Sequence, residues 1–443
     1  MIHEPIIALA TPPLKSALAV IRLTGDGVLE ITDSLFSKPV SSLTQRSILV
    51  GTMSWEGKPI DEVVLLVYPK PHSMTGEDVV EICCHGSMVI VNEILEAYGS
   101  KGVRYATAGE FSSRAFFHGK MDLIEAEAVN DLINATTKEA KNMAFLSLSG
   151  KTSELVVPLK EEIASLLALV EVGIDFPEYD EEETASTEII LDSCRKIRAR
   201  LAKLIDEGEQ GRVFQDGVTI AIVGEPNVGK SSILNALIEQ DKAIVSSIPG
   251  TTRDVVEGQI SIHGIPVHLW DTAGIRESDD ALEQLGVERS KKSIEEADLI
   301  LFVTVAGVPM SQEERQLLDS LEGKLVLRVY NKSDLASPNI QDGVLLSAKS
   351  GEVSDLKEAI FSMLGISPSA SKIPSLNNAR ELSLLRQIDD DIALVEASAQ
   401  EGTAIDLLSV YLQSAYNKTR QLLGEDATHD LTDEIFSRFC VGK

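Results

Sequence analysis

The sequence predicts a multidomain chain: an N-terminal α+β domain, a central α-helical domain, and an α/β domain inserted between two parts of the helical one. Three observations predict it. Short apolar runs broken by Gly, Pro and Ser fill residues 1–118. Apolar residues at helical spacing take over at 119–216 and return at 376–443. Between them, residues 217–375 alternate buried-strand runs with helical segments.

In the first region IIALA, ALAVIRL, DEVVLLVYP and DVVEICCHG read as strands. From about Lys120 the texture is helical, in MDLIEAEAVNDLI, ELVVPLKEEIASLLALVEV and the stretch from Ile190 to Ile205. There Ile190, Cys194, Ile197, Leu201 and Leu204 step by four and three, which makes one apolar stripe and puts Cys194 in a core. The segment DFPEYDEEE, residues 175–183, breaks the helical pattern. It reads as a solvated acidic loop, with a metal-binding carboxylate cluster as the sharper alternative. From Val218 the strands VTIAIVG, VHLWD, ADLILFVTV, KLVLRVYN and VLLSA alternate with helices, which implies a largely parallel sheet covered by helices. Helix resumes after about Pro374, so this domain is an insertion, tolerated where an insert's termini lie close together. There is no internal repeat.

The net charge of −29 disfavours a free surface that binds nucleic-acid phosphates or anionic membranes, so any RNA contact needs a local basic patch or a partner. Cys83, Cys84, Cys194 and Cys440 form neither a disulfide framework nor a zinc pattern, and reduced thiols in the cytoplasm are the simplest reading. The first residues lack signal-peptide character, and no apolar run of transmembrane length is present.

The strongest motif is Gly224-Glu-Pro-Asn-Val-Gly229-Lys230-Ser231, a full G-x-x-x-x-G-K-S between a strand and a helix. Its backbone N–H groups and the helix N-terminus suit a polyphosphate, with Lys230 for the β- and γ-phosphates and Ser231 for Mg²⁺. Asn227, Val228, Gly229, Lys230, Ser231 and Ser232 are therefore candidate nucleotide contacts. Asn331-Lys332-Ser333-Asp334 selects the base. A carboxylate at Asp334 accepts from guanine N1–H and the exocyclic amine, while adenine offers no matching edge; Asn331 and Lys332 brace the loop and stack on the base. Ser347-Ala348-Lys349 follows the next strand, where a backbone contact to the guanine carbonyl is expected. Asp271-Thr272-Ala273-Gly274 ends the strand VHLWD, with Asp271 reaching Mg²⁺ through water and Gly274 sensing the γ-phosphate. Gly250-Thr251-Thr252-Arg253-Asp254 lies where a first switch loop belongs, with Thr252 the second Mg²⁺ ligand. In this order the five elements predict a Ras-like, P-loop G domain that binds GTP and GDP and resembles the translation-factor class of small GTPases.

The residue after the DxxG motif is Ile275, where Ras-like proteins carry a water-orienting Gln. Arg253 and Arg276 lie nearby, but the sequence fixes no arginine finger. A carboxylate within Glu277 to Glu283 could orient the water, against the plainer reading of a solvated helix face. The chain closes on Phe439-Cys440-Val441-Gly442-Lys443, a poor prenylation signal because Gly442 is not aliphatic. The alternatives are a frayed tail or a thiol delivered into an active site.

Together these stretches resemble the MnmE (TrmE) tRNA modification GTPases along the whole chain. The resemblance runs through Ala10-Thr-Pro-Pro13, Ile21-Arg22, Thr75-Gly-Glu-Asp78 with Glu81, His85-Gly86, Gly109-Glu-Phe111, Arg114-Ala115-Phe116, Lys120-Met-Asp-Leu123 and Ala126-Glu-Ala128. It continues through the nucleotide motifs to the Cys tail. It implies an N-terminal dimerisation domain like folate-binding proteins, a homodimer, and a flavoprotein partner, MnmG. It also implies modification of the wobble uridine of certain tRNAs at carbon 5, with a one-carbon unit from a tetrahydrofolate derivative. Arg22, Glu81, Lys120 and Lys443 would line the folate site, cations facing the glutamyl carboxylates and the carboxylate facing the pterin. Potassium would supply the missing positive charge, held by Asn227, Ser246, Ile248 and Thr251, with Ser246, Thr251 and Thr252 also against the nucleotide. Glu283 falls at the family's water-orienting glutamate. Cys440 would be a site residue without a fixed role. Leu14-Lys15-Ser16-Ala17-Leu18 departs from the glycines usual there, and Val441 replaces Ile.

Two other classes compete. A GTP-switched RNA-binding or ribosome assembly factor needs a basic domain that the charge argues against. A membrane-remodelling GTPase needs an anchor that the sequence does not show.

Overall fold

The computed structural model describes residues 3–175, 187–240, 258–271, 294–336, 340, 342–427 and 429–443. The chain divides into two compact units, Met1–Asn130 with Tyr416–Lys443, and Asp131–Ala415.

The first unit is built on a six-stranded sheet of β1 (Ile6–Leu9), β2 (Leu18–Thr24), β3 (Ser47–Trp55), β4 (Lys58–Tyr68), β5 (Val79–His85) and β6 (Arg104–Tyr105), in the order β3-β4-β5-β2-β1-β6. All neighbours are antiparallel except β1 and β6. Alternate residues of β2, β4 and β5, among them Ile21, Leu23, Leu65, Val67, Val80 and Ile82, point to one core. That is the period-2 signature of a sheet with one covered face. The helices α1 (Val28–Asp33), α2 (Met88–Gly99), α3 (Glu110–Phe117) and α4 (Leu123–Asn134) follow along the chain, α4 running on into the second unit. Val91, Ile94, Ala97 and Tyr98 of α2 bury against the sheet.

The second unit begins with α5 (Lys138–Leu148), α6 (Ser153–Asp175) and α7 (Thr187–Asp216). The expected stripe holds: Ile190, Cys194, Ile197, Leu201 and Leu204 are all buried, and burial pushes the Cys194 thiol up to about 12. Residues 176–186, most of the acidic segment, lie outside the described residues. The inserted sheet follows with β7 (Val218–Val223), α8 (Lys230–Gln240), β8 (Gly258–Ile262), β9 (Ile265–Asp271), β10 (Leu299–Val305), α9 (Gln312–Asp319), β11 (Val326–Asn331), β12 (Val344–Leu345) and α10 (Ser354–Leu364). Its order is β12-β11-β10-β7-β9-β8, parallel except for the β8–β9 hairpin. Both faces are covered. Ile220, Ile222, Leu301 and Val303 join one core and Ala221, Val223, Ile300 and Phe302 another, as a parallel sheet requires. Then α11 (Ala379–Gln400) pairs with α7, Arg198 holding Asp389 at 3.0 Å and Glu396 at 3.1 Å. Helix α12 (Ile405–Leu423) leads to α13 (His429–Ser437) and the tail in the first unit. No described helix is long and apolar enough to cross a membrane.

The tail is docked, not frayed. Val441 bridges Ala108, Gly109 N donates to Cys440 O at 3.4 Å, and Phe111 N donates to Lys443 O at 3.1 Å. Phe436 and Phe439 close a small core with Ala126.

Beside it, burial would raise the Glu110 carboxyl, but hydrogen bonds from Arg104, Thr107 N and Arg114 outweigh burial and bring it from 4.5 to about 2. A depressed carboxyl stabilises the fold above its unfolded value, and that contribution disappears as pH falls from 4.5 toward 2. The melting-temperature gap between wild type and Glu110→Gln should therefore narrow over that window. A gap independent of pH would contradict it.

Candidate functional site

The second sheet reverses its winding at β7, which lies between β9 and β10. In open α/β sheets, ligands bind at the carboxyl ends of the strands around such a reversal. The Gly224–Ser231 loop leaves β7 at that end, and the loop from Asn331 leaves β11 two strands away.

The phosphate-type loop has the backbone its motif demands. Asn227 is left-handed with φ 65, and Gly229 has φ 99. A Cβ on Gly229 would lie 2.2 Å from Asn331 Nδ2, so glycine there is what lets the two loops meet. Helix α8 starts at Lys230, turning the N–H groups of its first turn and its positive dipole end toward the loop. The Lys230 side chain is buried, and its Nζ donates to Gly224 O at 2.8 Å and Glu225 O at 2.9 Å. Ser231 and Ser232 are exposed on the first turn. Glu225 in turn accepts from Ser311 Oγ, the capping residue of α9. The motif gave no sign of that bond.

Two side chains join the loops. Buried Asn331 donates from Nδ2 to Val228 O at 2.8 Å and accepts at Oδ1 from Ala348 N at 3.0 Å. Lys332, left-handed at φ 62, donates from Nζ to Asn227 O at 2.6 Å. Asp334 Oδ1 accepts from Ser347 Oγ at 2.7 Å. Strained loop residues of this kind persist only where surrounding bonds fix them, and they concentrate at ligand sites. Ser333, Asp334, Leu346, Ser347, Lys349 and Leu356 line a cavity of about 620 Å³, roomy enough for a base and ribose. The apolar Leu346 and Leu356 were not singled out by motif. Their signal is the short strand VLLSA followed by the amphipathic SDLKEAIF, which only the fold connects to Asp334.

Asp271 ends β9, its backbone in register with Ile222 of β7. Ser246, Ile248, Thr251, Thr252, Thr272, Ala273, Gly274 and Glu283 lie outside the described residues.

In the first unit, Arg22 Nε donates to Glu81 Oε1 at 2.8 Å, and its NH1 donates to Gly442 O at 2.8 Å. Arg22 and Glu81 line a cavity of about 210 Å³ with Tyr68, Met74, Thr75 and Val79. Lys120 lines a different cavity, beside Phe116, Met121 and Glu125, and its Nζ donates to Pro71 O at 2.6 Å. Lys443 lines neither, although the tail it ends meets Arg22 through Gly442. Leu14 and Leu18 are exposed in the loop where glycines were expected, and Ser16 N ties that loop to Gly86 O at 3.1 Å. Cys440 is an exposed free thiol.

Two family models match the chain. One is described as the GTP-binding protein TrmE N-terminus, over residues 5–120, and the other as the MnmE helical domain, over residues 123–440. Curated relatives called tRNA modification GTPase MnmE align end to end. That of Ligilactobacillus salivarius is 38% identical over 456 residues, covering 99% of this chain and 98% of its own. That of Bacillus subtilis is 37% identical over 459 residues, covering 99% and 100%. Among solved structures, Era of Aquifex aeolicus bound to GDP·AlF4⁻ is 28% identical over 40% of this chain and 67% of its own, with a TM-score of 0.27, too slight an overlap to carry weight.

Proposed function

This chain belongs to the MnmE family of tRNA modification GTPases, and from that premise we propose that it hydrolyses GTP between the Gly224–Ser231 and Asn331–Asp334 loops to drive modification of carbon 5 of the wobble uridine in certain tRNAs. The observation that carries the reading is Asn331, which holds Val228 O with one end of its amide and Ala348 N with the other. Phosphate and base recognition are thereby built as one rigid piece. Asp334 reads guanine, Lys230 faces the β- and γ-phosphates, and Ser347, Ala348 and Lys349 close over the base.

We assign Mg²⁺ to Ser231 and Thr252, and K⁺ to Asn227, Ser246, Ile248 and Thr251. The exposed Ser231 hydroxyl on the first turn of α8 and the exposed, left-handed Asn227 are the described donors compatible with this. Both cations would add positive charge at the phosphates, the electrostatic role of an arginine finger. Glu283 is proposed to orient the attacking water.

The further assignment is a homodimer acting in the cytoplasm with an MnmG-like flavoprotein and tRNA. Its domains are residues 1–118, 119–216, 217–375 and 376–443. For the tetrahydrofolate derivative, the cavity beside Arg22 and Glu81 is smaller than the range of about 300–1,000 Å³ usual for whole ligands, so it suits the ring end alone. Glu81 would accept from pterin donors there, leaving Lys120 and Lys443 to the glutamyl carboxylates.

GTP turnover by the full chain should be faster in potassium than in sodium; equal rates would remove the potassium assignment. Cells lacking this protein should lose the carbon-5 substituent of wobble uridines in tRNA nucleoside mass spectra, and unchanged uridines would defeat the proposed modification.

A further inference from the structure

We propose that His3, Glu77 and His118 in the first unit form a binding site for a divalent transition ion, distinct from the nucleotide's Mg²⁺. Among the described residues, these three side chains bring one ligand atom each within 4.8 Å of one another. His3 Nδ1 lies 3.5 Å from Glu77 Oε1, and the two imidazole rings are 5.7 Å apart. A tetrahedral ion with bonds of about 2.0–2.2 Å separates its ligands by roughly 3.3–3.5 Å. The His3–Glu77 distance already matches, and the remaining pairs need to close by about 1.5 Å or less. His3, whose side chain is 65% exposed, can close its own distance to His118 by turning, while any shortfall between Glu77 and His118 falls to the loop that carries Glu77.

The other two ligands are held in ligating orientation. His118 caps the C-terminus of α3, and its Nδ1 lies 2.8 Å from Thr75 O. A carbonyl can only accept, so Nδ1 carries a proton, and in the neutral ring Nε2 is left with the lone pair. This is the outer-shell contact that fixes the tautomer of metal-binding histidines. Gly76, at φ 81, lets the loop approach, since a Cβ there would sit 3.0 Å from His118 Cβ. Glu77 is buried, and its two oxygens differ in their partners. Oε2 accepts from Thr24 Oγ1 at 2.9 Å and Arg114 NH1 at 3.1 Å. Oε1 has only a longer 3.4 Å contact to Arg114 NH1 and faces His3.

The ion-pair network around the site sets the carboxylates of Glu4, Glu77 and Glu110 against the guanidinium groups of Arg104 and Arg114, with the Lys120 side chain also against Gly76, so the site carries no excess positive charge. Two imidazoles and a carboxylate favour zinc, cobalt or nickel over magnesium or calcium, which prefer oxygen alone. Three protein donors leave a position open for water or another ligand. Bound there, an ion would pin the N-terminal segment and the end of α3 to the loop that carries Thr75, which lines the Arg22–Glu81 cavity.

The test titrates nucleotide-free full-length protein with Co²⁺, followed by Zn²⁺ displacement. The expected result is a single equivalent giving visible d–d bands without thiolate charge transfer. His3→Ala and His118→Asn should each weaken binding by at least about tenfold, the lower end of what losing even an outer-shell partner costs. His3 is exposed, so its variant should fold. Absence of micromolar binding, a thiolate signature that moves the ion to a cysteine, or affinity unchanged in both variants would overturn the proposal.

Discussion

Replacing Asp334 by asparagine should weaken GTP binding by about two to four orders of magnitude, the cost of two charge-assisted hydrogen bonds at about 1.5–3 kcal/mol each. A carboxylate accepts at both oxygens, as guanine's N1–H and amine require; an amide turns one acceptor into a donor facing the guanine amine. The same change matches xanthine, whose second carbonyl stands where guanine has that amine. Asp334→Asn should therefore prefer xanthosine triphosphate, a gain that a misfolded variant would not show. Ser347 Oγ, which donates to Asp334 Oδ1 at 2.7 Å, remains available to hold the asparagine in place. Retained GTP preference in equilibrium titrations would remove Asp334 from base selection.

The second large effect is expected at Lys230. Its buried ammonium rests on the carbonyls of Gly224 and Glu225, inside the loop. Removing one preorganised donor to developing charge costs about 10²–10³ in turnover. Lys230→Met, which keeps the apolar stem in its packed position, should lose at least that much, with a smaller loss in GDP affinity. Equal losses in turnover and GDP affinity would mean that the lysine binds ground state and transition state alike.

Much of this was legible because chemistry-bearing loops follow strands of unambiguous pattern. VTIAIV, LILFVTV and VLRVYN are apolar runs that become β7, β10 and β11, and the glycines and lysine after β7 have few other uses. In the first unit all four expected strand runs are strands. Strand β3 was not singled out, since Gly51 and polar Ser and Thr blur its alternation, and its outer position leaves Ile48 and Val50 exposed. Helix α2 begins with Met-Val-Ile-Val, a β-branched run whose helical face shows only once Val91, Ile94 and Tyr98 meet the sheet. Strand β8 escaped because it is an antiparallel edge added to an otherwise parallel pattern.

At the site, residue types were legible and the bonds joining them were not. The Asn331 bridge spans more than 100 positions and exists only because β7 and β11 end on the same side of the sheet. Sequence spacing likewise could not place Lys120 in a cavity apart from Arg22 and Glu81. Nor could it bring His3, just before β1, to His118, at the end of α3, across 115 positions of sequence.

Calorimetric titration of the purified chain with GDP, GTP and ATP tests the central claim most directly. The pocket described should bind one guanine nucleotide per chain and bind ATP at least about 100-fold more weakly, because adenine offers no matching pair of donors to the Asp334 carboxylate. Equal heats and affinities for ATP and GTP, or no binding of either, would contradict it.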